Sequence, residues 1–186
     1  MENVYGETKM KIMIVYSTYG GTTKTCADLL ADKLREHHTV DFVDGRKENI
    51  PSPDNYDAVV VGSSIRMGRM NKKLRRYIKE NRAILDNMPF GIYFCCGYTK
   101  QFQEYVDIQF PKNYEPTLGF HLFGGEMKPE RYKGIDKFIM RCMRDAIKTQ
   151  DFEEDERRLH DLPEIYPENI AVLAKNISVA LNNMQK

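Results

Sequence analysis

Apolar positions along the chain follow two alternating periods. Residues 10–16 (MKIMIVY) form a short, nearly continuous apolar run, the pattern of a strand buried on both faces. From Thr22 the period changes: Cys26, Leu29, Leu30, Lys33 and Leu34 recur at three-to-four spacing, with Asp28, Asp32, Arg35 and Glu36 on other faces, which predicts a helix. Thr39 to Val43, Tyr56 to Gly62, Phe90 to Cys96 and Leu118 to Phe123 predict four more strands. Residues 71–85 place Leu74, Tyr77, Ile78 and Leu85 along one stripe of an otherwise basic helix. Residues 101–110 predict a short helix ended by Pro111, residues 129–148 a helix with Ile135, Phe138, Ile139, Cys142 and Met143 inward, and residues 167–184 a C-terminal helix. Strands alternating with helices predict an α/β fold, a parallel sheet with helices on both faces.

Composition narrows this to one unit. A chain of 186 residues that is 41% hydrophobic builds one domain with a substantial core and is short for two. We expect an N-terminal extension at 1–9 and a single domain at 10–186. The one linker-like stretch, 149–163, carries the acidic run DFEEDE and reads as a solvated loop. Lys and Arg number 28 against 27 Asp and Glu, so no global charge points to nucleic acid, and any charge argument is local. No apolar run approaches the roughly 20 residues that span a bilayer, and the N-terminus lacks a signal peptide's apolar centre, so the expected compartment is the cytoplasm. The cysteines, Cys26, Cys95, Cys96 and Cys142, lack CxxC spacing and read as free, mostly buried thiols. His37, His38, His121 and His160 present no paired metal face, so no metal site is expected.

The chemistry concentrates where the first strand meets the first helix. In an open parallel sheet, ligands bind beyond the carboxyl ends of the strands, where the strand order reverses. VYSTYGGTTKT, residues 15–25, occupies that place. The first backbone N–H groups of the helix lack partners there and attract anions. Gly20 and Gly21 let several N–H groups surround one phosphate, while Ser17, Thr18, Thr22 and Thr23 add hydroxyl donors. Neither GxxxxGKS/T nor GxGxxG occurs, so a nucleoside triphosphate or dinucleotide site is not indicated.

IVYSTYGGTTK, residues 14–24, resembles the phosphate-binding loop of flavodoxins. YDAVVVGSSIRMG (56–68) and IYFCCG (92–97) are similar to the third and fourth strands of that family with the loops that flank a flavin ring. The basic helix that follows, and FGGEMKPERYKGIDKFIMRCM from 124, resemble a narrower group: flavodoxin-type protoporphyrinogen dehydrogenases that use menaquinone, and related flavodoxin-domain proteins. The resemblance implies a five-stranded parallel sheet of order 2-1-3-4-5 in a three-layer sandwich, and FMN as cofactor. It implies phosphate contacts at Ser17, Thr18, Tyr19, Gly20, Gly21, Thr22 and Thr23. Ser63, Ser64, Ile65, Arg66, Met67 and Gly68 would flank the ring on one side, and Cys95, Cys96, Gly97 and Tyr98 on the other. With no Trp in the chain, Tyr98 and Met67 are left to cover the flavin faces, while the Gly68 loop would turn a carbonyl toward N5 and Arg66 would favour an anionic reduced ring.

Between 66 and 82 the chain carries Arg66, Arg69, Lys72, Lys73, Arg75, Arg76, Lys79 and Arg82 against the single acid Glu80. Such a run is usually a solvated helix face, but here it starts at the flavin loop. It suits an anionic tetrapyrrole or an anionic membrane surface carrying quinone, with peripheral contact at the inner face of the membrane. Two functions stay open: an FMN-dependent oxidoreductase of the protoporphyrinogen-dehydrogenase kind with a quinone acceptor, or an electron-transfer protein serving a protein partner. The catalytic residues are not legible.

Overall fold

A computed structural model describes residues 9–126, 128–149 and 164–185, with side chains of 143–149 left aside. Most of the 1–9 extension and all but the first residue of the 149–163 linker lie outside the described residues. Five strands, β1 (Lys11–Ser17), β2 (Thr39–Asp44), β3 (Ala58–Ser64), β4 (Phe90–Cys95) and β5 (Phe120–Leu122), form one sheet of order β2-β1-β3-β4-β5. Every pairing is parallel. The expected architecture and strand order are those observed.

Alternation within the strands divides the core into two layers. Ile12, Ile14, Tyr16, Ala58, Val60 and Tyr93 pack under α1 (Thr22–Leu34) and the C-terminal helix, here α6 (Pro167–Met184). Met13, Val15, Val59, Val61, Phe90, Ile92 and Phe94 face α2 (Lys72–Glu80), α3 (Arg82–Leu85) and α4 (Phe102–Gln109). A strand with both faces covered must be apolar throughout, which is why β1 reads as a continuous run rather than an alternating one. β1 is also the strand from which the order runs outward in both directions, so its carboxyl end opens a crevice at the sheet edge.

Several local expectations differ. The helix expected over 71–85 is two helices, broken at Asn81, whose side-chain amide donates to the Tyr77 carbonyl at 2.9 Å. Leu29 on α1 is exposed, and Ala27 and Ala31 join Cys26, Leu30 and Leu34 in the buried stripe.

The larger correction concerns the helix expected from Pro129. Pro129–Arg131 is a short 3-10 turn, and α5 (Gly134–Thr149) starts only at Gly134, which takes φ 54°. Its predicted core face is outside: Ile135 and Phe138 are 77% and 68% exposed, and Cys142 is exposed as well. Both faces of the sheet are already covered by α1 with α6 and by α2 to α4. An amphipathic α5 therefore stays off the sheet, and it lies against the 129–131 turn and the rim of the crevice, which it lines with Ile139 and Met140.

Candidate functional site

Gly21 caps α1 in the left-handed region at φ 92°, and no side chain caps the helix. Its own N–H donates to the Thr18 hydroxyl at 2.9 Å, which folds residues 18–21 into a tight loop over the helix end. At Gly20 a Cβ would stand 2.3 Å from the Tyr132 hydroxyl, so a side chain there would push that ring aside. The Thr23 hydroxyl is fully buried and has only the weak Cys95 thiol beside it, with no oxygen or nitrogen partner. Ser17 is equally buried with an unpaired hydroxyl.

This loop forms one end of a cavity of about 240 Å³, far more than a single water requires. Thr18, Tyr19, Gly20, Thr22 and Thr23 line that end. One wall is Ser64, Ile65, Arg66, Met67 and Gly68, and the opposite wall is Cys95, Cys96, Gly97 and Tyr98. Three residues expected at the site do not line it. Ser17 sits beneath, Gly21 sets the cap geometry, and Ser63 is buried, its hydroxyl donating to the Ser64 carbonyl and accepting from the Asn71 N–H. The sequence reading missed Gln101, Tyr105, Gly125, Glu126, Tyr132, Asp136, Ile139 and Met140, which close the far side. The basic and aromatic residues in ERYKGID were a usable signal for part of that set. Nothing in the local pattern tells that Gly125, Glu126 and residues 132–140 come to the same cavity as residues 18–23.

The walls are held by specific contacts. The Arg66 guanidinium pairs with the Asp136 carboxylate and lies 4.9 Å from the centroid of the Tyr19 ring, with Arg46 on that ring at 4.0 Å. Arg66 is therefore tied to α5 and to the loop at residues 18–21. Met67 takes φ 51°, unusual for a residue with a side chain, and is 84% exposed. The Gly68 carbonyl accepts from the Gln109 side-chain amide at 2.9 Å. Burial pushes the Cys96 thiol up to about 12, and burial together with Cys26 raises Cys95 well above the thiol range, so neither is a reactive thiolate at neutral pH. The contact that Cys95 does make is with Cys26, at 3.6 Å between sulfurs, and not with its sequence neighbour. Among the described residues no three His, Cys, Asp or Glu side chains gather as a metal site, and no helix is long and apolar enough to cross a membrane.

Arg69, Lys72, Lys73 and Arg76 line a second, more open groove that shares Tyr19, Ser64, Arg66 and Met67 with the cavity. Part of the basic helix thus borders the site.

Comparison with known proteins gives a consistent result. The Flavodoxin domain family model matches residues 13–154. Protoporphyrinogen IX dehydrogenase (quinone) of Escherichia coli strain K12 is 34% identical over 85 residues, covering 45% of this chain and 47% of that protein. The matched stretch is thus about half the length of the relative. Among solved structures, a short-chain flavodoxin associated with a PDU bacterial microcompartment superposes with a TM-score of 0.52 at 15% identity, covering 95% of this chain and 99% of that one. A flavodoxin of Streptococcus pneumoniae TIGR4 gives a TM-score of 0.50 at 15% identity, over 91% and 98% of the two chains. At these identities the structural likenesses speak for the fold.

Proposed function

The chain belongs to the flavodoxin-domain family, and on that premise we propose that residues 10–186 form one domain that binds FMN and acts as an oxidoreductase. The observation that carries the reading is the meeting, at one cavity, of an uncapped helix N-terminus with two facing loops at the carboxyl ends of β3 and β4. The residues present fit the group. The buried Thr23 hydroxyl, with only the weak Cys95 thiol beside it, and the open first turn of α1 offer donors to a phosphate. Thr18, Thr22 and Thr23 would hold the phosphate, and Ser64 to Gly68 with Cys96 to Tyr98 would flank the ring. FMN, when bound, supplies one- and two-electron redox chemistry that these side chains lack. The protein's own part is to orient, to exclude water and to set local charge. Tyr19, Tyr98, Ile65 and Ile139 supply apolar surface along the cavity, and Arg66 supplies positive charge on the β3 side, its carboxylate partner Asp136 moderating it.

The rim supports one class of substrate. Arg69, Lys72, Lys73 and Arg76 beside the cavity favour an anionic substrate, and together with the Escherichia coli relative's name they support a porphyrinogen-type hydrogen donor and a quinone acceptor at a membrane surface. A second reading, an electron-transfer protein serving a protein partner, draws on exposed Met67, Ile135 and Phe138, apolar residues of the kind a docked partner covers.

Stopped-flow kinetics separate the two. The oxidised flavin form should be reduced by protoporphyrinogen, and the reduced form reoxidised by a menaquinone analogue, with rates that fall as salt rises because the attraction extends about 8 Å at physiological salt. Replacing Arg69, Lys72 and Lys73 together by Gln should lower both rates several-fold and flatten the salt dependence. Equal rates and equal salt slopes in parent and variant would leave the basic rim as solvated surface and favour the carrier.

A further inference from the structure

The phosphate end of the cavity already holds an anion of the protein's own. Glu126 Oε2 accepts from the Thr22 hydroxyl at 3.4 Å and from Arg131 Nη1 at 2.9 Å, while Oε1 takes the Lys128 ammonium. Arg131 Nη1 also reaches the Gly20 carbonyl at 3.5 Å. Three charged groups from residues 126–131 are thus stationed over the loop at 18–23. Lys24, the lysine within the loop's own sequence, is engaged elsewhere, on Asp28 at 2.8 Å.

Stability does not account for this cluster. Arg131 and Lys128 are 38% and 42% exposed, and ion pairs that open to solvent contribute little. What sets it apart is its position at the N-terminus of a 13-residue helix, with the Thr23 hydroxyl, which has only the weak Cys95 thiol beside it, buried in the same cavity wall. Burial pushes the Glu126 carboxyl up, but Lys128 and Arg131 outweigh it and hold the carboxyl below its ordinary range. Glu126 is therefore ionised at neutral pH, and a phosphate dianion brought to the same place would be repelled by it unless it moved aside. A phosphate carries more charge than one carboxylate and more acceptor oxygens, so the same two cations and the helix end favour it in an exchange.

We propose that Glu126 is a resident anion at the phosphate seat, which Arg131 and Lys128 release in exchange for a phosphomonoester. The seat's counter-ions then come from the segment after β5 and not from the loop itself. Discrimination between a flavin with a phosphate and one without is set by this exchange. The inference rests on the flavin reading only for the identity of the ligand, since the seat recognises the phosphate.

Titration calorimetry on the full chain freed of cofactor tests it, with FMN, riboflavin and inorganic phosphate as probes. Glu126→Gln should bind FMN and inorganic phosphate about three- to tenfold more tightly, with riboflavin unchanged. Arg131→Gln should bind both phosphate probes about tenfold more weakly, again with riboflavin unchanged, and Arg131→Lys should fall between. A gain of affinity in Glu126→Gln cannot come from misfolding. An FMN-to-riboflavin ratio that is unchanged or reversed in either Gln variant overturns the exchange while the flavin reading stands. Binding of inorganic phosphate in the predicted order, with no flavin bound, upholds the exchange and removes the flavin. No binding of any probe overturns both.

Discussion

Tyr93 shows how single residues support the site from below. It is fully buried, stacks on Phe123 with centroids 4.3 Å apart, and its hydroxyl donates to the Thr23 carbonyl at 2.9 Å, tying β4 to the first turn of α1. Its ring fills the space above Gly62, where a Cβ would stand 2.0 Å from the ring. Because stacking and the hydrogen bond hold the ring, it cannot give way, and Gly62→Ala should cost about 3 kcal/mol or more. Tyr93→Phe, which removes only the hydroxyl, should cost about 1 kcal/mol. Urea unfolding of the two variants gives the comparison, and equal midpoints would mean that the ring is not fixed. His121 gives a pH signature. Burial lowers its pKa, outweighing its hydrogen bond to the Leu118 carbonyl at 2.7 Å. A folded pKa below the unfolded value of about 6.5 means that the unfolded chain binds the proton more readily. His121's contribution is therefore full above about pH 6.5, the unfolded value, and is lost as pH falls from there through the lower folded pKa. Unfolding free energy should hold above about pH 6.5 and drop as pH falls below it, with a slope from this residue of at most about 1.4 kcal/mol per pH unit, and His121→Gln should reduce that slope.

Helices α2 and α5 look alike in sequence, both amphipathic and both basic, but they do different work. α2 is capped by the Asn71 side chain, which accepts from the N–H groups of Lys73 at 2.9 Å and Leu74 at 3.3 Å, and it buries Leu74, Tyr77 and Ile78. Asn71→Ala should therefore cost about 1 kcal/mol, read from thermal unfolding. α5 leaves its apolar stripe exposed and so contributes little to the core. Phe138→Ser should shift stability by no more than about 0.5 kcal/mol, while Leu173→Ala on buried α6 should cost about 2–5 kcal/mol. If Phe138→Ser destabilised as much as the α6 substitution, α5 would have to be part of the core.

For the molecule as a whole, ligand and fold are linked. A ligand that binds only the folded chain stabilises it, by about 2.7 kcal/mol at a hundredfold excess over its dissociation constant. FMN should therefore raise the melting temperature in a concentration-dependent way, and riboflavin should raise it less. Equal shifts would place no weight on the phosphate end. The sheet, its strand order and a cavity at the glycine- and hydroxyl-rich turn were legible in the sequence, because strands covered on both faces and such a turn are local signatures. Most of the two flanking loops could be named for the same reason, as continuations of β3 and β4. What the sequence could not decide was which apolar stripes find partners. The stripe of α5 has the same periodicity as that of α2, yet the sheet has two faces and both were taken, so α5 turns Ile135 and Phe138 to solvent. Nor does any local pattern bring Glu126 to Thr22, 104 positions away, or Cys26 to Cys95. Periodicity records what each segment could bury, and only the closed tertiary structure decides, by the surface left over, what it meets.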